Sequence, residues 1–87
     1  PALQRTLDER AASRPEGSYS VTLIDDPGFA EEKVLEEAEE VTRAVREETD
    51  DRVANEAADV IYHLAALLKS RDVSLDQVME VLNGRRG

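Results

Sequence analysis

Two segments of the chain carry acidic residues in the same pattern. The segments "VLEEAEEV", residues 34–41, and "VANEAADV", residues 53–60, both fit V-x-x-E-A-x-[ED]-V. The acidic members of the pattern are Glu37, Glu40, Glu56 and Asp59. Oxygen ligands of this kind suit hard divalent cations such as Mg²⁺ or Mn²⁺. The two segments could therefore hold a metal ion between them.

Both segments have the periodicity of amphipathic helices. On a helix that turns about 100° per residue, Val34 and Val53 each begin an apolar stripe, and the two acids of each segment lie along one edge of that stripe. The short connection "TDD", residues 49–51, makes the two helices pack antiparallel. We therefore expect the four carboxylates to gather at the margin of the core.

A cluster of carboxylates is unfavourable without a cation, because like charges in a poorly solvated site raise each other's pKa. A bound divalent ion would remove this repulsion. The alternative is that both acidic edges are solvated helix flanks without a ligand. A matched pair of acids is not rare in a chain with 20 acidic residues among 87, so the residues alone leave both interpretations open.

Two further side chains lie beside the acidic edges. Lys33 is one helical turn before Glu37, so it is expected either to pair with that carboxylate or to meet a phosphate beside the metal. His63 is one turn after Asp59. It is interpreted either as a half-buried histidine bonded to a neighbour or as a member of the site.

The rest of the chain predicts an all-α bundle of about four helices. Helix starts are marked by Asp26 before Pro27 and by the capping-box pattern of Ser74 with Gln77. The expected helices cover residues 3–12, Asp26 to about Glu48, about Asp51 to Arg71, and Ser74 to Gly84. Residues 13–20 are predicted to form a loop, and "SVTLI", residues 20–24, is the only segment with the composition of a strand.

Length and composition exclude several classes of protein. A chain of 87 residues predicts one domain spanning residues 1–87. The absence of cysteine excludes disulfides, thiolate metal sites and a cysteine nucleophile. A net charge of −9 opposes binding to nucleic acid or to anionic membranes. No apolar run approaches the roughly 20 residues of a membrane span and no leader is evident, so we expect a cytoplasmic protein.

The segment "VIYHLAALL", residues 60–68, is apolar around most of its helical circumference. Such a helix needs cover on most sides, and three other short helices supply little. We therefore expect the bundle to be completed by dimerisation, most simply as a homodimer.

The acidic motifs resemble those of the all-α nucleoside triphosphate pyrophosphohydrolases, the MazG-like superfamily. There the pattern E-E-x-x-E is followed by E-x-x-D on the next helix, and the matching residues here are Glu36, Glu37, Glu40, Glu56 and Asp59. Within this superfamily the chain resembles the phosphoribosyl-ATP pyrophosphohydrolases of histidine biosynthesis. The segments that carry this resemblance are "GSYS" (17–20), "EKV.EEA.EV" (32–41), "EAADVIYHL" (56–64) and "SRDVSLDQV" (70–78).

The resemblance implies an all-α dimer that uses Mg²⁺, with Mn²⁺ as a substitute, to hydrolyse 1-(5-phosphoribosyl)-ATP to 1-(5-phosphoribosyl)-AMP and pyrophosphate. The metal ligands that it implies are Glu37, Glu40, Glu56 and Asp59. The catalytic residues that it implies are Glu36 and Glu37, with Glu36 assisting or orienting water. The substrate-binding residues that it implies are Lys33, Ser18, Tyr19, Tyr62 and His63.

Two positions depart from the family pattern. Leu35 stands where glycine commonly precedes the paired glutamates, and Ser20 stands where threonine is usual. Neither change removes a ligand.

Two other functions compete with this one: a housekeeping enzyme of the same superfamily that cleaves free or damaged nucleoside triphosphates, and a non-enzymatic acidic helical adaptor.

Overall fold

A computed structural model describes residues 2–85, and within them the chain is helical without any strand. The five helices are α1 (Ala2–Ser13), α2 (Tyr19–Asp25), α3 (Pro27–Glu47), α4 (Asp50–Lys69) and α5 (Leu75–Gly84). The all-α prediction is confirmed. The predicted number of about four helices is too low by one, because α2 forms where a loop and then a short strand were expected.

Helix α2 forms because capping and burial outweigh the weak strand preference of its residues. The Ser18 hydroxyl accepts a hydrogen bond from the Val21 N–H at 3.4 Å and caps the helix. Gly17, just before this cap, has a φ of 77°, a left-handed conformation that glycine adopts readily. Leu23 then lies fully buried in the core. As a result, α2 is a packed element that contacts α1, α3 and α4.

Helices α3 and α4 form an antiparallel pair, as the sequence predicts, and this is the most extensive helix contact in the described chain. The Asp26 carboxylate caps α3 by accepting from the Phe29 N–H at 3.1 Å. The Thr49 hydroxyl caps α4 by accepting from the Arg52 N–H at 3.4 Å. Because the connection is so short and the two helices are of similar length, the middle of α3 lies beside the middle of α4.

The core of the described chain is small and rich in alanine. Its fully buried leucines are Leu7 and Leu23, and Ala30 of α3 packs with Ala65 and Ala66 of α4. Small side chains at these positions let the helix backbones approach closely. Several larger apolar side chains stay outside this core and are about half exposed or more: Tyr19, Leu35, Val45, Ile61, Met79, Val81 and Leu82.

The C-terminal helix α5 has no fully buried side chain, but its half-buried Leu75 packs against the core. The predicted capping box is present, with the Gln77 N–H donating to the Ser74 hydroxyl at 3.1 Å and the Ser74 N–H donating to Gln77 at 2.8 Å. The Leu75 N–H donates to the Gln4 side chain of α1 at 2.7 Å. None of the helices in residues 2–85 has the length and apolar character to cross a membrane.

Candidate active site

Three carboxylates from the two matching segments meet between α3 and α4. Ligand oxygens of Glu37, Glu56 and Asp59 all lie within 4.8 Å of one another. Glu37 and Glu56 are each only 8% exposed, whereas Asp59 is exposed. The cluster is therefore anchored in the interface and open on the Asp59 side, where a solute can reach it.

The fourth predicted ligand, Glu40, lies against this group without joining its closest three members. It lies close enough to Glu37 and Glu56 to influence the pKa of both. Burial raises the pKa of both Glu37 and Glu56, and the neighbouring Glu40 carboxyl group raises each pKa further.

The two oxygens of Glu56 have different surroundings. Oε1 accepts a hydrogen bond from the Arg52 guanidinium at 2.6 Å. Oε2 is buried and has no hydrogen-bond partner in the described chain. Arg52 was not among the residues that the sequence analysis selected, although its position one turn before Glu56 is the usual spacing of a helical ion pair.

His63 has both ring nitrogens engaged within the chain. Its Nδ1 donates to the backbone carbonyl oxygen of Asp59 at 2.8 Å, and its Nε2 lies 3.0 Å from the Tyr19 hydroxyl. Because a carbonyl oxygen only accepts, Nδ1 carries the proton, and in the neutral ring Nε2 accepts from Tyr19. This arrangement matches the interpretation of His63 as a histidine bonded to a neighbour, although the side chain is buried and not half-buried as expected. It also fixes the start of α2 beside the carboxylates.

The aromatic residues of the two family segments contact each other directly. The rings of Tyr19 and Tyr62 stack with centroids 6.2 Å apart. The Tyr62 hydroxyl lies 2.7 Å from the hydroxyl of the buried Ser20. The family resemblance alone predicted that "GSYS" and the Tyr-His pair lie near the substrate. The fold brings these two segments together at one end of the carboxylate cluster.

Half-buried Lys33 and exposed Glu36 lie on α3 next to the cluster. The Lys33 ammonium lies 3.6 Å from a carboxylate oxygen of Glu36, whose side chain is 56% exposed. Thus Lys33 pairs with Glu36, although Glu37 was the partner considered from the sequence. Burial raises the pKa of the Tyr19 hydroxyl, the Lys33 charge opposes this rise, and the charges of Glu36 and Glu37 add to it, so these side chains surround a common region.

Of the remaining predicted substrate-binding residues, Ser18 serves as the cap of α2, with its hydroxyl directed to its own helix. This role belongs to the fold. It neither requires nor prevents a contact with a ligand.

The carboxylate cluster has the chemistry of a hard-cation site. Its donors are all oxygens, which suits Mg²⁺. The buried Oε2 of Glu56 lacks a partner that a cation would supply, and the raised pKa values of Glu37 and Glu56 show that the metal-free arrangement is electrostatically unfavourable. The residues therefore fit a divalent cation. This conclusion rests on the buried unpartnered oxygen and the raised pKa values as well as on the number of acidic residues.

Comparison with known proteins gives a consistent result. The family model described as phosphoribosyl-ATP pyrophosphohydrolase matches residues 1–86. A phosphoribosyl-ATP pyrophosphatase of Caulobacter sp. strain K31 is 39% identical over 85 residues, which cover 98% of this chain and 79% of that protein. One of Metallosphaera sedula is 42% identical over 84 residues, 95% of this chain and 90% of that protein.

A histidine biosynthesis bifunctional protein of Bacillus subtilis also matches. It is 40% identical over 85 residues, which cover 95% of this chain but only 40% of that longer protein. The resemblance noted from the acidic and aromatic motifs is thus confirmed over nearly the whole sequence. On these matches, the chain belongs to the phosphoribosyl-ATP pyrophosphohydrolase family.

Proposed function

We propose that this chain catalyses the Mg²⁺-dependent hydrolysis of 1-(5-phosphoribosyl)-ATP to 1-(5-phosphoribosyl)-AMP and pyrophosphate in histidine biosynthesis. The observation that carries the proposal is the cluster of buried Glu37, buried Glu56 and exposed Asp59 with one unpartnered buried oxygen, in a chain that matches this family along its length. Family membership also identifies the chain as an enzyme, which removes the non-enzymatic adaptor as an alternative.

The metal-binding residues in this proposal are Glu37, Glu40, Glu56 and Asp59. A bound Mg²⁺, or Mn²⁺ in its place, would neutralise phosphate charge and lower the pKa of a water molecule. The chain itself is strongly acidic, so it needs such a cation to attract an anionic triphosphate. The exposed position of Asp59 supports an approach of the substrate from that side.

Glu36 and Glu37 are the proposed catalytic residues. Glu37 is buried and fixed in the cluster, so its role is to hold the metal in place. Glu36 is the adjacent exposed carboxylate, and we assign it the role of accepting a hydrogen bond from the attacking water. Lys33 is paired with Glu36 in the free protein, and its ammonium can pass from that carboxylate to a phosphate oxygen of the substrate.

The aromatic group beside the cluster is proposed to bind the rest of the substrate. The Tyr19 ring is 44% exposed and is supported from behind by Tyr62, so one of its faces is free to contact a nucleotide base. Tyr62 and His63 hold this ring in place through stacking and through the Tyr19 hydroxyl. Ser18, at the start of the same helix, is positioned to contact the ribose or a phosphate.

We infer a homodimer as the functional form. Support comes from the apolar side chains that one chain leaves in solvent on α3 and α4, since Leu35 and Val45 are each 66% exposed and Ile61 is 52% exposed. A second copy would cover them and complete the bundle.

The cytoplasmic location expected from the sequence also stays a prediction.

The test is pyrophosphate release from 1-(5-phosphoribosyl)-ATP, measured with Mg²⁺ and with a chelator. We expect release only with the metal. A panel of free nucleoside triphosphates in the same assay tests the housekeeping alternative. Faster turnover of any panel member than of 1-(5-phosphoribosyl)-ATP would reject the proposed substrate, although the metal site would stand.

A further inference from the structure

Arg52 contacts two acidic side chains at the N-terminal end of α4. Its Nη2 donates to Glu56 Oε1 at 2.6 Å, and its Nε donates to Glu48 Oε1 at 3.4 Å. Glu48 is the C-terminal cap residue of α3, where its backbone N–H donates to the Ala44 carbonyl oxygen at 2.8 Å. The planar guanidinium is therefore held between the α3–α4 turn and the carboxylate cluster.

The contact with Arg52 gives the Glu56 carboxylate one orientation. Because Oε1 is committed to the guanidinium, Oε2 is the oxygen that remains for another partner. That oxygen is buried and without a hydrogen bond, and Glu56 contributes to the group with Glu37 and Asp59. Without Arg52, the carboxylate could rotate so that either oxygen paired elsewhere, and the geometry would be lost.

The direction in which Mg²⁺ affinity changes when Arg52 is replaced shows whether Arg52 orients Glu56 or acts only through its positive charge. A cation close to a metal site repels the metal, so removing the Arg52 charge should tighten Mg²⁺ binding if charge were its only influence. If Arg52 orients a ligand, removing it should weaken binding. Partners that orient metal ligands typically change affinity by about 10-fold to 100-fold when they are mutated.

We propose that Arg52 is a positioning residue for the metal site, holding Glu56 by Oε1 so that Oε2 is left free to bind a cation. The inference rests on the proposed metal site. It adds a residue outside the acidic motif. The positive charge of this residue alone would weaken Mg²⁺ binding, whereas the residue as a whole strengthens it.

The experiment is a Mg²⁺ titration of the metal-free full chain, followed by calorimetry and by thermal melting. The variants are Arg52→Gln, Arg52→Lys and the matched charge control Arg46→Gln, whose guanidinium donates to the Thr42 carbonyl oxygen on α3. We expect Arg52→Gln to raise the Mg²⁺ dissociation constant about 10-fold to 100-fold. Arg52→Lys retains a donor for Oε1 and should recover part of this loss, while Arg46→Gln should bind as the wild type does.

A kinetic measurement distinguishes positioning from general damage. At saturating Mg²⁺ the kcat of Arg52→Gln should return towards the wild-type value, because only metal occupancy is impaired. Should Arg52→Gln fail to fold, Arg52→Lys tests the same inference, because it keeps the positive charge but loses the guanidinium that contacts both Glu48 and Glu56, and it should still bind Mg²⁺ more weakly than the wild type.

Three results would overturn the inference. Arg52→Gln that binds Mg²⁺ as tightly as the wild type, or more tightly, would show that Arg52 acts only as a countercharge. Equal weakening in Arg52→Gln and Arg46→Gln would show a non-specific effect. A wild-type chain that does not bind Mg²⁺ would refute the proposed metal site as well, so the two failures are distinguishable.

Discussion

Replacing Glu56 by glutamine is the sharpest test of the carboxylate cluster. The change keeps the size of the side chain and removes one ligand charge. In the metal-free protein the amide can still accept from Arg52 through its oxygen, and its N–H₂ group then occupies the place of the unpartnered Oε2 near the other carboxylates. We therefore expect the metal-free variant to melt at or above the temperature of the metal-free wild type.

The response to Mg²⁺ should change in the opposite direction. At a metal concentration of about 100 times the dissociation constant, binding stabilises the wild type by about 2.7 kcal/mol. For a domain of this size, 1 kcal/mol shifts the melting temperature by about 4–8 °C, so the wild type should gain about 11–22 °C. If losing the ligand weakens binding about 100-fold, the same concentration stabilises the variant by only about 0.4 kcal/mol, or about 2–3 °C.

The assay is thermal unfolding followed by circular dichroism, with and without Mg²⁺, beside pyrophosphate release. The control variant is Glu47→Gln, because Glu47 is exposed at the end of α3 and belongs to no described cluster. It should respond to Mg²⁺ as the wild type does and keep its turnover. If Glu56→Gln retained the wild-type Mg²⁺ shift and turnover, the assignment of the metal site would be wrong.

Three further predictions concern pH, assembly and the core. The pKa of Glu37 is raised in the native state, so without metal the native state binds more protons than the unfolded state above pH 4.5. The free energy of unfolding in the presence of a chelator should therefore fall as the pH rises through this window, and it should fall less steeply in Glu37→Gln. Urea unfolding at several pH values measures both slopes. Ile61→Glu should place a charge in the proposed dimer interface, so sedimentation should give a monomer; an unchanged dimer would exclude this face. Leu7→Ala empties a fully buried site and should lower the unfolding free energy by about 2–5 kcal/mol in urea, whereas a loss below about 1 kcal/mol would contradict the described core.

The sequence by itself determined much of the helical framework. Local signals are sufficient where one residue acts on its own neighbours, as with Asp26 capping α3 and the capping box of Ser74. The all-α fold and the antiparallel pairing of α3 with α4 follow from apolar periodicity and a short connection. The acids of the cluster could also be selected, because i,i+3 spacing on a helix places both side chains on one edge.

The formation of α2 could not be read from local preference. The residues of "SVTLI" favour a strand weakly, and only contacts with the rest of the chain decide their conformation. Leu23 is buried in the core, and Ser20 meets the Tyr62 hydroxyl of α4, 42 residues away in sequence. A helical wheel contains no information on such a contact.

Only the tertiary structure decided which atoms of the site are available. Sequence spacing gave Glu37, Glu40, Glu56 and Asp59 equal standing, but packing brings three of them within 4.8 Å and leaves Glu40 alongside. It also engages Glu56 Oε1 with Arg52 and leaves Oε2 buried without a partner. Helical periodicity fixes the direction in which a side chain leaves its own helix axis. Burial and hydrogen bonding depend instead on how two helices pack against each other. Burial and hydrogen bonding in turn set the charge state and the orientation of a metal ligand.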